Sequence, residues 1–370
     1  MEQVRRDILD LLRSHGYQLV IPPLLEYMEA LTTGAGQDLD LATFKVVDLL
    51  SGRLMGVRAD ITPQAARIDA HLLNRQGVTR LCYADSALRT KPDGLAQTRQ
   101  PLQIGAELFG HMGIESDVEI QQLLVKTLRA AGVNLLHIDF SHVGIFRSLV
   151  RRGGIAAQLE QELSRALQSK DKAALQEMLQ GLDGEVKQAL LALTDLNGGV
   201  EVLQAAQQCL PQYAEIQQAL QDLQRISQQM AALDVAVSFD LAELRGYHYH
   251  SGMVFAAYAQ GYAGPLALGG RYDEVGSIFG RARPATGFSM DLRGLMTALP
   301  PAQAEWAILA PYVEDTALQN KITSLRAAGE IVVVELPGHE AHRAELNCDR
   351  ALVSRNGNWE VAPIEEFESE

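Results

Sequence analysis

A chain of 370 residues with 47% hydrophobic and 21% charged side chains has the composition of an ordinary globular protein, which excludes a disordered or fibrous one. Its formal net charge of −14 is spread along the whole length. No Lys/Arg block is dense enough to track a phosphate backbone, so a polyanion is a poor partner.

The opening segment places Val4, Ile8, Leu11 and Leu12 at helical spacing, with Arg5, Arg6, Asp7 and Arg13 on the other faces, and Gly16 stops this amphipathic helix. Residues Tyr17 to Ile21 read as a short strand, and Pro22 and Pro23 then forbid helix. A strand through Leu54 and Val57 leads to Arg58, Asp60 and Thr62, where Thr62 predicts an N-cap and Pro63 the first helical position. Asp60 and Thr62 thus sit at a strand-to-helix corner, on the rim of a sheet where a ligand can reach them. From Leu102 to Phe109 the residues alternate: Leu102, Ile104, Ala106 and Leu108 face the core, while Gln103, Gly105 and Glu107 make the floor of a polar pocket.

Residues 154–233 are dominated by Gln, Ala, Leu and Glu at helical spacing and predict an inserted helical subdomain. Strand-like sequence returns at Val235 and runs through Phe239 and a Tyr/His-rich stretch to Phe255, then into the Gly-rich segment Gly261 to Gly270. On such a strand Arg245, Tyr247 and Tyr249 share one face. Pro300 and Pro301 mark a linker. Beyond it, strands at Trp306 to Leu309, Ile331 to Glu335 and Ala351 to Val353, with a helix around Thr316 to Ala328, predict a small α/β domain over 304–370.

Cys82, Cys209 and Cys348 lack any CxxC spacing, which suggests neither a disulfide framework nor a zinc ribbon and fits a reducing cytoplasm. No apolar run approaches the roughly 20 residues that cross a bilayer, and residues Met1 to Asp10 are helical rather than signal-like. His248 and His250 on a strand could face a metal together, but no third ligand is evident, so no metal is expected. His339 and His342 are spaced i, i+3 rather than the i, i+4 of a zincin helix and read as solvated surface.

Five stretches carry a resemblance when taken in order: Gly16 to Glu26, Arg58 to Thr62, Leu88 to Gly110, Leu244 to Phe255, and Gly269 to Asp273 with Gly287 to Leu295. Together they resemble class II aminoacyl-tRNA synthetases, specifically the histidine enzyme, over residues 1–299. The resemblance implies an α+β fold: an antiparallel sheet flanked by helices, with the 154–233 insert and the small C-terminal α/β domain appended. The first stretch resembles the motif that builds that family's dimer interface. Asp60 and Thr62 match the carboxylate and hydroxyl that hold the substrate's α-amino group, with Asp60 where the family usually has Glu. Arg89, Gln103 and Glu107 match its second-motif arginine, glutamine and glutamate; Arg245 matches the arginine that replaces a metal in adenylate formation; Tyr249 and His250 match its paired tyrosines, the second replaced here.

The departures are confined to the nucleotide side. Lys91 stands where the family has an acidic residue, Gln97 where a basic one belongs, Asp291 where a small one admits nucleotide, and Gly294 where an arginine binds ATP. Arg293 cannot substitute, since one helical residue is roughly 100° of rotation. Losing preorganised cations at such a site costs orders of magnitude in rate. The tail is short for an anticodon-binding domain and has no basic face, and the chain starts late relative to the family.

The pattern therefore resembles the synthetase-like regulatory subunits of ATP phosphoribosyltransferase, the first step of histidine biosynthesis. This resemblance implies a chain without catalytic residues, cofactor or tRNA, joined to the short-form catalytic subunit in a cytoplasmic hetero-oligomer, dimerising through the first motif, activating its partner and mediating feedback inhibition by histidine. The implied histidine-shaped pocket comprises Asp60, Thr62, Arg89, Gln103, Glu107, Arg245, Tyr249 and His250. The alternatives are a divergent histidyl-tRNA synthetase or amino-acid-adenylating ligase, and a structural dimer scaffold with an empty pocket.

Overall fold

The computed structural model describes the chain except for residues 33–35, 93–97, 135, 183, 248, 277–279, 302–304 and 365–370 and the side chains of 32–38; Gln97 and His248 thus lie outside the described residues. Two compact units divide the chain, Met1–Leu299 and Pro300–Glu370.

The first unit runs α1 (Glu2–Ser14), β1 (Gln18–Leu19), β2 (Leu25–Tyr27), α2 (Met28–Thr32), α3 (Gly36–Ala42), β3 (Phe44–Val47), β4 (Leu54–Val57) and α4 (Thr62–Arg67), which continues as a π-helical turn over Ile68–Leu73. Then come β5 (Thr79–Ser86), β6 (Leu102–Phe109), α5 (Ile114–Ala130), β7 (Leu136–His142) and α6 (Val143–Arg152). Helices α7 (Ala157–Gln168), α8 (Lys172–Met178), α9 (Gly184–Leu193), α10 (Glu201–Cys209) and α11 (Ala214–Ala231) follow, with the two-residue β8 (Asn197–Gly198) between α9 and α10. The unit closes with β9 (Ala236–Asp240), β10 (Met253–Ala259), β11 (Ala267–Arg271), β12 (Ala285–Asp291) and α12 (Leu292–Thr297).

Nine strands form one sheet in the order β1-β5-β6-β12-β11-β10-β7-β9-β8, antiparallel except for the β1/β5 and β7/β9 pairs. A separate three-stranded sheet, β2-β4-β3, follows the first helix. Ile8 and Leu12 of α1 are buried against the large sheet, and Gly16, at φ +82°, lets the chain turn into β1. The helical insert is not a separate body: Leu163, Leu190, Leu220 and Ile226 belong to the same core as Ile104, Phe140 and Phe255 of the sheet.

Three local expectations are corrected. Strand β6 is buried on both faces, because α5 covers one and α4 with the residues before it covers the other. Thr62 is not an N-cap but the first helical residue; its own N–H is taken by Asp60 Oδ1 at 2.9 Å, and its hydroxyl turns inward. The stretch Leu244–His250 is not a strand. Gly246 sits at φ +65°, and Tyr249 and His250 both donate their N–H to the Gly246 carbonyl, which makes a turn between β9 and β10. Alternation cannot persist through a left-handed residue.

The second unit holds β13 (Ala307–Ala310), α13 (Thr316–Ala327), β14 (Val332–Val334), β15 (Cys348–Arg355) and β16 (Asn358–Pro363) in the order β14-β13-β15-β16. Strand β16 was not anticipated from the sequence. It pairs with β15 across Asn356 (φ 51°) and Gly357 (φ 78°), the residue pair that a type I′ hairpin prefers. His342 lies on a 3-10 segment of this unit, Glu340–Leu346, and His339 just before it, both exposed.

Buried cations tie the first unit together. Arg58, 1% exposed, donates to the carbonyls of Pro22 (2.6 Å) and Ser86 (2.8 Å) and pairs with Asp85 at 2.7 Å, pinning the diproline segment to the end of β5. Arg271, at the end of β11, pairs with Asp117 of α5 at 2.7 Å and also reaches Ser116 Oγ at 2.8 Å. Arg271 also pairs with Asp273 at 3.2 Å, so removing Asp117 takes away its shortest and most buried carboxylate partner and leaves the second. The Asp117→Ala variant is expected to lose stability, by less than the roughly 3–5 kcal/mol of a fully unpaired buried charge, read as a lower urea midpoint of the first unit; an unchanged midpoint would contradict this account of Arg271.

Candidate functional site

The centre of the site is the carboxylate of Glu107, 1% exposed in the middle of β6. Three hydroxyls donate to it: Thr62 Oγ1 at 3.0 Å and Tyr83 at 2.9 Å to one oxygen, and Tyr272 to the other. They arrive from α4, from β5 and from the residue after β11. Two glycines make the approach possible: a Cβ at Gly287 would collide with the Glu107 carboxylate, and one at Gly105 would strike the Tyr83 ring. Burial dominates the electrostatics and pushes the Glu107 pKa up to about 8, against the opposing pull of the three hydroxyls.

Beside this cage lies a second linked group. Gln103, four residues earlier on the same face of β6, donates Nε2–H to Asp60 Oδ1 at 2.7 Å and accepts the Ile61 N–H on Oε1 at 2.9 Å. The amide thereby fixes the corner that carries Asp60 and Thr62. Gln103 also lines an open cleft of about 600 Å³ of empty space, shared with Arg89, Tyr262, Leu268, Ser289 and Asp291. Arg89 is oriented in part by its Nε–H, which reaches the Ala59 carbonyl at 3.3 Å.

Tyr249 stacks on Tyr272, ring centroids 5.0 Å apart, and its buried hydroxyl has no hydrogen-bond partner among the described residues. His250 packs edge-on against Tyr249 with its Nδ1 3.3 Å from the Arg271 carbonyl, and burial pulls its pKa down to about 4, so the ring is neutral. Asp60, Thr62, Gln103 and Glu107 are therefore joined by hydrogen bonds, directly or through Tyr83, and Tyr249 abuts them through Tyr272. Arg245 is not brought to the site: it is exposed and pairs with Glu243 at 3.3 Å, because the Gly246 turn points it outward.

Sequence reasoning did not single out Tyr83 or assign Tyr272 a role, although both fill the cage. Tyr83 shares the parity of Asp85 on β5 and stands opposite Gly105, a pairing visible only once register is known. On the far side of the cleft, Asp291 caps α12, accepting the N–H groups of Arg293 and Leu102 at 3.0 Å each. The space over Gly294 is filled, since a Cβ there would lie 2.7 Å from the Tyr262 hydroxyl. Among the described residues no group of three or more His, Cys, Asp or Glu could hold a metal ion.

The site offers hydrogen-bonding groups to a polar ligand. A buried carboxylate accepts, an unpartnered phenol can donate or accept, and Arg89 offers a cation at the cleft mouth. A raised folded-state carboxyl pKa favours the fold most below the unfolded value and loses that contribution as pH rises toward 8. Glu107→Gln is expected to flatten the fall in Tm between about pH 5 and pH 8; identical pH slopes in the two proteins would show that Glu107 does not titrate in this window.

Comparison with known proteins places this geometry. A family model described as "Histidyl-tRNA synthetase" matches residues 1–295, and one described as "ATP phosphoribosyltransferase subunit HisZ C-terminal domain" matches residues 304–362. An ATP phosphoribosyltransferase regulatory subunit of Methylobacillus flagellatus is 62% identical over 99% of this chain and 95% of its own. One from Nitrosospira multiformis is 56% identical over 98% and 93%. Among solved structures, an ATP phosphoribosyltransferase regulatory subunit/histidyl-tRNA synthetase from Bacillus halodurans superposes with a TM-score of 0.81 at 26% identity, covering 93% of this chain and 91% of that one. A histidyl-tRNA synthetase from a Nostoc species shares the fold at TM-score 0.77 and 18% identity, over 99% of this chain and 94% of its own.

Proposed function

The chain belongs to the family of ATP phosphoribosyltransferase regulatory subunits, built on the histidyl-tRNA synthetase fold, and from this we propose that it is a non-catalytic partner that activates the short-form catalytic subunit and makes it sensitive to histidine. The observation that carries the reading is the asymmetry of the cleft. Groups suited to an amino acid are linked into one network around Asp60, Gln103, Thr62 and Glu107, while the other wall carries the Asp291 carboxylate and the Tyr262 ring over Gly294. A triphosphate facing that wall would meet the fixed negative charge of Asp291.

In this reading Asp60 and Thr62 take the α-amino group of histidine, Arg89 the carboxylate, and Glu107, Tyr249 and His250 the imidazole side. A neutral imidazole has one N–H and one bare nitrogen. The acceptor at Glu107 and the unpartnered Tyr249 hydroxyl suit those two needs. Oε1 of Glu107 accepts from Thr62 and Tyr83 and Oε2 from Tyr272, so a lone pair on Oε2 is left for the ligand. Feedback then requires only that histidine bind two states of the assembly unequally, by about 1–3 kcal/mol.

Self-association is proposed through the segment around β1 to β4. There Ile21, Leu25, Val46 and Val47 are exposed, and Leu49 and Leu50 at the β3–β4 tip are 94% and 99% exposed, more apolar surface than a lone subunit usually presents.

The deciding experiment measures phosphoribosyl transfer by the short catalytic subunit with and without this chain while histidine is titrated. Activation that histidine reverses supports the reading; no effect at micromolar protein overturns it. Arg89→Ala and Glu107→Ala are each expected to shift half-inhibition upward by about tenfold or more while the complex still forms, since each removes a hydrogen-bonding partner of the ligand. Unchanged inhibition in both would move the histidine site elsewhere. Histidine-dependent exchange of pyrophosphate into ATP is expected to be absent.

A further inference from the structure

We propose that Glu160, on α7 of the helical insert, is a positioning residue for the ligand site: by holding the Tyr247 hydroxyl it fixes the turn that presents Tyr249 and His250. Residues 241–252 link β9 to β10; among the described residues the turn at 244–250 closes on itself through the Tyr247 N–H to Leu244 carbonyl bond (2.9 Å) and two bonds to the Gly246 carbonyl. Its far end is anchored to the residues around β11, the Ser251 N–H donating to the Arg271 carbonyl at 2.8 Å and Ser251 Oγ to Asp273 at 2.8 Å, and its near end needs an anchor of its own. Tyr249 on one side enters the site and stacks on Tyr272. Tyr247, two residues earlier, leaves in the opposite sense and is 6% exposed.

Helices α6 and α7 grip Tyr247 from behind. Phe146 of α6 meets its ring edge-on at 5.1 Å, the Arg147 guanidinium lies 5.1 Å from the ring centroid, and Arg147 Nη2 donates to the Tyr247 carbonyl at 2.9 Å. The hydroxyl reaches past α6 and donates to Glu160 Oε1 of α7. This bond ties the insert to the turn by a charge-assisted contact, stronger than a neutral hydrogen bond. The insert therefore does more than cover the sheet, because its first helix sets the geometry of the pocket lining from behind.

The test uses the full chain and three variants, Glu160→Ala, Tyr247→Phe and the double, with Glu160→Gln as the conservative control that keeps an acceptor. Amide exchange over residues 244–250 is expected to rise about tenfold in either single variant, no further in the double, and to stay close to the parent in Glu160→Gln, with β9 and β10 unchanged. Histidine binding, which rests on the function proposed above, should weaken in parallel by about tenfold. Unchanged exchange in the turn overturns the proposal, as does a rise shared by β9 and β10, which would mean general destabilisation. A looser turn with undiminished histidine affinity overturns the positioning role. Should the parent chain bind no histidine, the effector reading fails instead, and the exchange pattern alone decides whether Glu160 holds the turn.

Discussion

The Glu107 carboxylate is the constraint around which this site is arranged. An ionisable group sealed inside a sheet is tolerated only when its oxygens are hydrogen-bonded, and here three hydroxyls meet that requirement. Satisfying it fixes the corner before α4, the register of β5 on β6 and the exit of β11 relative to one another, because Thr62, Tyr83 and Tyr272 must all reach one point. It also leaves no room for side chains at Gly105 and Gly287. The pocket and the sheet thus share one set of restraints, and a change that opens the cage also loosens the strands that form it.

Much of the architecture was legible in the residues. The alternation from Leu102 to Phe109 is a strand of the expected length, and the α+β fold with a synthetase-like sheet agrees with the solved relatives. Strand parity paired Gln103 with Glu107 and the strand-to-helix corner paired Asp60 with Thr62, but only the resemblance to the histidine enzyme joined the two pairs into one site. What failed did so for local reasons. A period of two at Arg245, Tyr247 and Tyr249 reads as strand unless Gly246 is taken as a left-handed hinge. A threonine before proline looks like a cap until a buried acid competes for its hydroxyl. The hydroxyls of Tyr83 and Tyr272 come from 24 and 165 residues away from Glu107, a convergence that no local pattern announces.

The wall of the cleft that carries Asp291 and Gly294 is tied into the fold. Asp291 is not a stray charge: it holds the start of α12 and the N–H of Leu102, so it does structural duty between β12 and β6. Tyr262 covers Gly294 and leans into the cleft that Arg89 and Gln103 border. Restoring an arginine at position 294 would require moving that ring as well, so the two positions act as a pair.

The large sheet ends at each side in a strand of only two residues, Gln18–Leu19 at one edge and Asn197–Gly198 at the other. Such stubs offer almost no unpaired backbone for another chain to zip onto. The stubs themselves therefore give another chain little to pair with, which shifts recognition at these edges toward side-chain shape and charge.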